Sequence, residues 1–444
     1  MARFRLITAI LWLFLQGIWL TRDALIRDGD EEGHVGAAEL IKVQLETDGW
    51  LSIIPKMLWI DLGEYPPLYA SLMGIWWKLV AVQPEDLAFQ LFGGILLLFT
   101  AFLTSETAKN RGGDANFAFA LMLCLPLATG LSRHMMIENL VLTCTALGVW
   151  ATTLQYSNRW HGVIFGVIFG LGLLSKQSFI LVGAGIFFFL PRRASLVSLP
   201  IVLLTTIGWY LPQSTEQHSY LSTSISSNVS SALGWHFLAP FAYVVWDICG
   251  PLFCGYLIWM LIRHPWSPKT KQLLMWVALS LLIFILIPKK YPRLMLSISI
   301  PLVLLLCEQY GKKKWDWRTS TLLISMGLWI LIGSFFSLPS NPIQQKIDSE
   351  RCPQVWLRPP FDYDLGLHTI KKSTQGLPST TSIVLINTPT IPCSIQTTHP
   401  FPYHLEIYLR RHQIENPIHT NHTSNAFQIS WNGPISNPTS LQLP

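Results

Sequence analysis

Charge is scarce in this chain. Only 13% of its 444 residues are Asp, Glu, Lys or Arg and half are hydrophobic, a balance that excludes a disordered or ordinary soluble protein and leaves a polytopic membrane protein. The net charge of +6 does not gather into a basic stripe. Lys and Arg fall in short groups between apolar runs, which argues against a nucleic-acid partner and fits the orienting of spans in a bilayer. A cleavage site is missing as well: Met1-Ala2-Arg3-Phe4-Arg5 and the apolar run to Leu20 imitate a signal peptide, but no small-x-small triplet follows, so the run is read as the first span. No internal repeat of interrupted spans is visible, as a transporter would be expected to show.

What is present is a series of apolar runs, at roughly 4–21, 87–105, 115–131, 138–154, 161–174, 178–190, 195–212, 238–262, 272–288, 292–308 and 319–337. Eleven crossings follow if each one spans. Arg3/Arg5, Lys109/Arg111, Arg159, Arg192/Arg193, Arg263/Lys269/Lys271 and Lys312/Lys313/Lys314/Arg318 stand at every second junction, the positive-inside pattern with a cytoplasmic N-terminus. Two readings keep the alternation. Pro66 to Val82 is taken as an interfacial helix on the outer face, with Trp76, Trp77 and Lys78 at headgroup depth. The short runs 161–174 and 178–190 are taken as a hairpin with Ser175-Lys176-Gln177 at its outer turn.

With this topology the outward polar groups form a short set. The first outer loop, about 22–86, opens with Asp28-Gly29-Asp30-Glu31-Glu32-Gly33-His34 and closes with Glu64-Tyr65-Pro66-Pro67-Leu68-Tyr69. Carboxylates at a membrane surface are costly unless paired, solvated or used, and a solvated connector is the plain alternative. The next outer turns carry Ser132-Arg133 with Glu138, then Lys176, then a Ser-rich loop with Glu216, His218, Tyr220 and His236, whose His residues lack metal spacing. The last carries Lys289-Lys290-Tyr291-Pro292-Arg293. Arg133 and Glu138 also read as a helix-end pair, and Lys289, Lys290 and Arg293 as cations snorkelling to headgroups. Acids and cations collecting on one face favour a site, because cations kept where the charge rule expects few point to an anion.

In order, Asp30-Glu31 with His34, Tyr65-Pro66-Pro67-Leu68, Ser132-Arg133 with Glu138, Gly170-Leu171-Gly172-Leu173-Leu174-Ser175-Lys176, Gly208-Trp209-Tyr210 and Lys290-Tyr291-Pro292-Arg293 resemble the GT-C membrane glycosyltransferases, in the branch of protein O-mannosyltransferases and lipid A aminoarabinose transferases. The likeness covers about residues 1–310. It implies an inverting transfer of a sugar from a polyprenyl-phosphate donor to a lipid, polysaccharide or protein acceptor at the outer face of the cell membrane. Asp30 matches the acid placed beside the acceptor nucleophile as general base, with Asp28 as the fallback and Glu31 and Glu138 as further catalytic acids. Lys176, Lys290 and Arg293, with Arg133 assisting, are suited to the leaving phosphate. His34, Tyr65 and Tyr291 are the substrate-positioning candidates. Tyr65 and Gln90 depart from the family, which commonly has a cation at both places. Glu138 stands where many relatives have Asp, able either to orient a base or to hold a divalent metal, and no other cofactor is implied. The readings from other classes are a lipid or solute transporter or flippase, and a catalytically silent scaffold of the same fold.

Beyond Pro339 the composition turns to Pro, Thr, Ser and Asn. Ser382–Ile386 and Ala426–Trp431 read as strands and Tyr403–His412 as a helix, so residues 339–444 are expected to form a small α/β extracytoplasmic domain on an otherwise all-α membrane domain of residues 1–338. Of seven cysteines, five fall in or beside spans as packing residues. Cys352 and Cys393 lie in the tail, where an oxidising compartment favours a disulfide.

Overall fold

The computed structural model describes residues 2–22, 34, 37–38, 41–42, 44–53, 58, 65–80, 85–154, 157–212, 238–287, 291–311 and 317–335, and five strands beyond them. The chain divides into two compact units: residues 1–22 with 41–335, and residues 23–40 with 336–444. The stretch expected to form the first outer loop is therefore divided between the two units.

The first unit is helical. Helix α1 spans Ala2–Arg22, and α2 spans Leu68–Val80. At 13 residues α2 is about 20 Å long, too short to cross a hydrocarbon core of about 30 Å. Its Trp76 Nε1 donates to the Ala88 carbonyl at 2.7 Å, which docks it on α3, Glu85–Arg111. The Trp77 ring is buried within the protein, with the Lys42 ammonium 4.1 Å from its centroid.

Two runs expected to cross as single helices are broken, both at proline. The run 115–131 is α4, Ala115–Cys124, and α5, Pro126–Ser132, bent by 64°. Pro126 drives its predecessor out of the helical region, and Leu125 stands at φ −71, ψ 126. The run 238–262 is α10, Ala239–Tyr243, continued by a π turn over Val244–Ile248, and α11, Pro251–Arg263, bent by 109°. Gly250, at φ 82 before Pro251, supplies the reversal that a residue with a Cβ would resist. Among the described residues four helices are long and apolar enough to cross, or up to six with each bent pair counted once.

Helix α6 spans Glu138–Thr152, α7 Asn158–Ser175 and α8 Phe179–Gly183, with a 3-10 stretch Ala184–Phe189 after it. Helix α9 spans Arg192–Tyr210 and α12 Pro268–Leu286; a 3-10 stretch Pro292–Ile298 leads into α13, Ser299–Tyr310, and α14 spans Trp317–Phe335. The tightest pair is α7 on α9. A Cβ added at Gly162 would sit 2.6 Å from the Ala194 carbonyl oxygen, and one at Gly166 would sit 2.8 Å from that of Ser198. With Gly170 facing Thr205, glycines four apart put one helix backbone against the other, the close approach by which helices associate where lipid removes the hydrophobic drive. Beside this seam Phe179 packs edge to face on Phe169, and Phe187 on both Phe165 and Phe169, their centroids 5.0 to 5.1 Å apart.

One end of the unit is tied by ion pairs: Arg5 to Glu106 at 2.6 Å, Lys109 to Glu106 at 3.2 Å, and Arg111 to Glu308. Asp114 caps α4 by accepting from the Asn116 and Phe117 amides at 2.8 and 3.0 Å. Arg5 lies about 16 Å along α1 from Gln16, which marks the opposite end, where the candidate site sits.

In the second unit five short strands are described: β1 Val355–Leu357, β2 Ile383–Ile386, β3 Ile395–Thr397, β4 Ile418–His419 and β5 Phe427–Trp431. They pair in parallel in the order β1-β3-β5-β2-β4. Strands β2 and β5 fall at the two expected segments. The expected helix 403–412 and both Cys352 and Cys393 lie outside the described residues.

Candidate active site

Three helix ends meet at one carboxylate, and a fourth braces one of them. Glu138 is the first residue of α6, buried at the positive end of the helix dipole. Lys176 ends α7: its extended backbone, φ −159 and ψ 137, breaks the helix and turns the side chain to Glu138, with Nζ 2.7 Å from Oε1. Tyr210, the last residue of α9, donates its hydroxyl to the Leu173 carbonyl at 2.9 Å and so fixes the final turn of α7. Arg293, on the 3-10 stretch before α13, brings Nε to 3.7 Å from the same Glu138 oxygen.

The three charges sum to +1. A buried ion pair repays its desolvation only when the remaining groups are satisfied, and here one acid serves two cations while Glu138 Oε2 has no hydrogen-bond partner among the described residues. The Tyr65 ring lies 5.4 Å from Lys176 Nζ, so the residue standing where relatives carry a cation faces the Lys176 ammonium through its π-face. Tyr291 lies against the Arg293 guanidinium at 5.6 Å, and Met136 Sδ lies 3.7 Å from Arg293 Nη1.

Arg133, at the end of α5, is held from another side. Its Nε donates to Gln16 Oε1 at 2.8 Å, and its guanidinium lies 5.2 Å from the Trp19 ring, both on α1. Trp19 meets His134 edge to face at 5.6 Å. Asn139 Nδ2 donates to the Leu131 carbonyl at 2.8 Å and thereby fixes the turn that carries Arg133. Gly93 lets α3 press on this turn, since a Cβ there would lie 2.6 Å from the Ser132 carbonyl oxygen.

Of the expected site residues, the structure thus gathers Glu138, Lys176, Arg293, Tyr65 and Tyr291, and sets Arg133 in a seat of its own. His34 is buried and belongs to the second unit. Asp28, Asp30, Glu31 and Lys290 lie outside the described residues. Gln90 is buried in α3. No group of three or more His, Cys, Asp or Glu able to hold a metal occurs among the described residues. Glu138 itself, with two cations within 3.7 Å, is a poor metal ligand. Sequence reasoning missed Gln16, Trp19 and Asn139, and quoted Tyr210 within a motif without giving it a role. A signal existed for the first two, because Gln16 is an amide inside an apolar run with Trp12 and Trp19 four and three residues away.

These features define a multi-pass membrane protein with the GT-C glycosyltransferase fold. Residues 64–212 match the family described as dolichyl-phosphate-mannose-protein mannosyltransferase, and this stretch holds Tyr65, Arg133, Glu138 and Lys176. Among solved structures, ArnT from Cupriavidus metallidurans bound to undecaprenyl phosphate superposes with a TM-score of 0.59 at 12% identity, covering 93% of this chain and 89% of ArnT. The apo state of the same enzyme gives 0.54 at 12% identity, covering 92% and 89%. A comparison with curated protein sequences finds no match.

Proposed function

We propose that the protein is an inverting glycosyltransferase that moves a sugar from a polyprenyl-phosphate carrier to an acceptor at the outer face of the membrane. The observation that carries this reading is the Lys176–Glu138–Arg293 cluster, whose Lys176 and Glu138 lie within the stretch that matches the mannosyltransferase family, in the fold of a protein solved with undecaprenyl phosphate. Asp30 takes the proton of the acceptor as its nucleophilic atom attacks the anomeric carbon, with Asp28 and Glu31 close in sequence to share that duty. The bond from the anomeric carbon to the phosphate oxygen breaks, and the electron pair leaves with the polyprenyl phosphate. Lys176, Arg293, Lys290 and Arg133 hold the charge that develops there. Glu138 serves as counter-ion, keeping Lys176 and Arg293 assembled before donor arrives. A single displacement inverts the anomeric configuration. The eleven-span topology, cytoplasmic N-terminus and extracytoplasmic α/β domain of residues 339–444 belong to the same proposal.

The test is an assay in membranes with radiolabelled polyprenyl-phosphate sugars, followed by identification of the labelled product. Label should move to a lipid, polysaccharide or protein fraction and be lost in Lys176→Met. Labelled donor that crosses the bilayer unchanged would favour the transporter reading instead.

A further inference from the structure

We infer that Tyr210, the last residue of α9, is a positioning residue for Lys176: its hydroxyl holds the turn from which the ammonium meets the donor phosphate. The inference rests on the proposed reading of Lys176 as a ligand of that phosphate. Helices α7 and α9 run the same way, side by side. Gly162 meets Ala194, Gly166 meets Ser198 and Gly170 meets Thr205, each so closely that an added Cβ would come within 2.8 Å of the facing residue. The two helices therefore end on the same side, and Tyr210 falls opposite Leu173 in the last turn of α7. Carbonyls of a last helical turn find no amide further along the helix to accept from. The one at Leu173 is served from the neighbouring helix, by the Tyr210 hydroxyl at 2.9 Å.

What that bond secures is the place where Lys176 leaves the helix. The Lys176 amide donates to the Gly172 carbonyl at 3.2 Å, and its own carbonyl accepts from the Phe179 amide at 3.0 Å. The Phe179 ring, fully buried, presses on Gly172, where an added Cβ would come within 2.5 Å of it. Trp209, itself buried, holds the Tyr210 ring edge to face at 4.8 Å. Of these ties, the one from Tyr210 is the side-chain hydrogen bond that reaches α7 from another helix. A lysine side chain is long and rich in rotamers, so Nζ keeps its 2.7 Å distance to Glu138 Oε1 at least cost when the backbone beneath it is fixed. Because the Tyr210 hydroxyl is spent on a main-chain carbonyl, it acts through Lys176 and not by touching substrate.

The experiment uses the full chain in phosphatidylcholine nanodiscs and measures binding of undecaprenyl phosphate to the wild type, Tyr210→Phe, Lys176→Met, Arg293→Met and the two double variants that add Tyr210→Phe to each methionine substitution. Tyr210→Phe keeps the ring that Trp209 packs on and loses the O–H alone. It should weaken undecaprenyl phosphate by about fivefold, the size expected for one neutral hydrogen bond. In turnover it should raise KM for the donor while kcat stays within about threefold. The cycle separates positioning from general support of the fold: Tyr210→Phe should cost nothing further in Lys176→Met and keep its full effect in Arg293→Met. Incorporation of 4-aminophenylalanine at position 210, which returns an N–H donor to the Leu173 carbonyl, should restore most of the affinity. If Lys176→Met binds like the wild type, the reading of Lys176 as a donor-phosphate ligand fails, and the inference with it. If Lys176→Met is weak while Tyr210→Phe binds like the wild type, or weakens binding equally with and without Lys176, that reading stands and this inference is overturned.

Discussion

Replacing Glu138 by Gln removes the carboxylate that pairs with both Lys176 and Arg293 among the described residues, and its consequences can be worked from the geometry. At 2.7 Å the attraction between Lys176 and Glu138 is about 6 kcal/mol at an effective dielectric of ~20, and at 3.7 Å that of Arg293 is about 4 kcal/mol. Desolvation of the three groups offsets most of this, so the net contribution of the cluster to stability is small. Removing one partner is different, because the other charge stays buried. Glu138→Gln and Lys176→Met should each cost about 3–5 kcal/mol. The double variant should lose less than either single, since no uncompensated charge remains beside the new methionine except the half-buried Arg293. Reversible unfolding in mixed micelles measures all four corners of the cycle. Undecaprenyl phosphate should restore part of the stability lost in Glu138→Gln, where it takes the place of the missing anion, and none of that lost in Lys176→Met. Additive losses, with no rescue by the phosphate lipid, would refute the counter-ion account of Glu138.

Asp30→Asn should lower transfer by about 10²–10⁴ while expression and span packing are kept, because an amide cannot accept the acceptor's proton; near wild-type turnover in the membrane assay would move the base to Asp28. Single-cysteine labelling with a membrane-impermeant thiol reagent, in a background without the native cysteines, should mark residues 78 and 360 from outside and protect 192 and 313. Labelling of 192 with protection of 78 would overturn the span order. Gly166→Leu should push α7 off α9 and lower the melting temperature while Gly255→Leu, whose added Cβ meets nothing within 4 Å, leaves it close to wild type. Cys352 and Cys393 should appear as one cross-linked peptide in mass spectra of unreduced protein, a tie worth about 3–4 kcal/mol in the chain-entropy model.

How far the sequence spoke differs by element. Apolar runs and their basic junctions were enough to show a membrane protein and to place most helices, since both signals are carried by composition over whole spans. Breaks within runs were harder, because Leu125-Pro126 and Gly250-Pro251 sit in stretches apolar enough to pass for continuous helices. Their bends of 64° and 109° come from two or three backbone torsions. The site was legible as a set of cations and acids on one face. Its pairing was not: Lys176 and Glu138 are 38 residues apart, and the packing of α6 against α7, with Tyr210 fixing the last turn of α7, brings Nζ to the carboxylate. Gln16 was missed for a similar reason. An amide in a hydrophobic run looks neutral until the partner 117 residues away is seen.

The most direct test of the central claim follows label and carrier together in purified protein. With a radiolabelled polyprenyl-phosphate sugar and a membrane extract as acceptor source, the wild type should release one polyprenyl phosphate for each labelled product formed. Lys176→Met and Arg293→Met should each form product more slowly, in proportion to their loss of donor binding. Labelled product formed at wild-type rate by both variants, or donor consumed with no label transferred, would contradict the account.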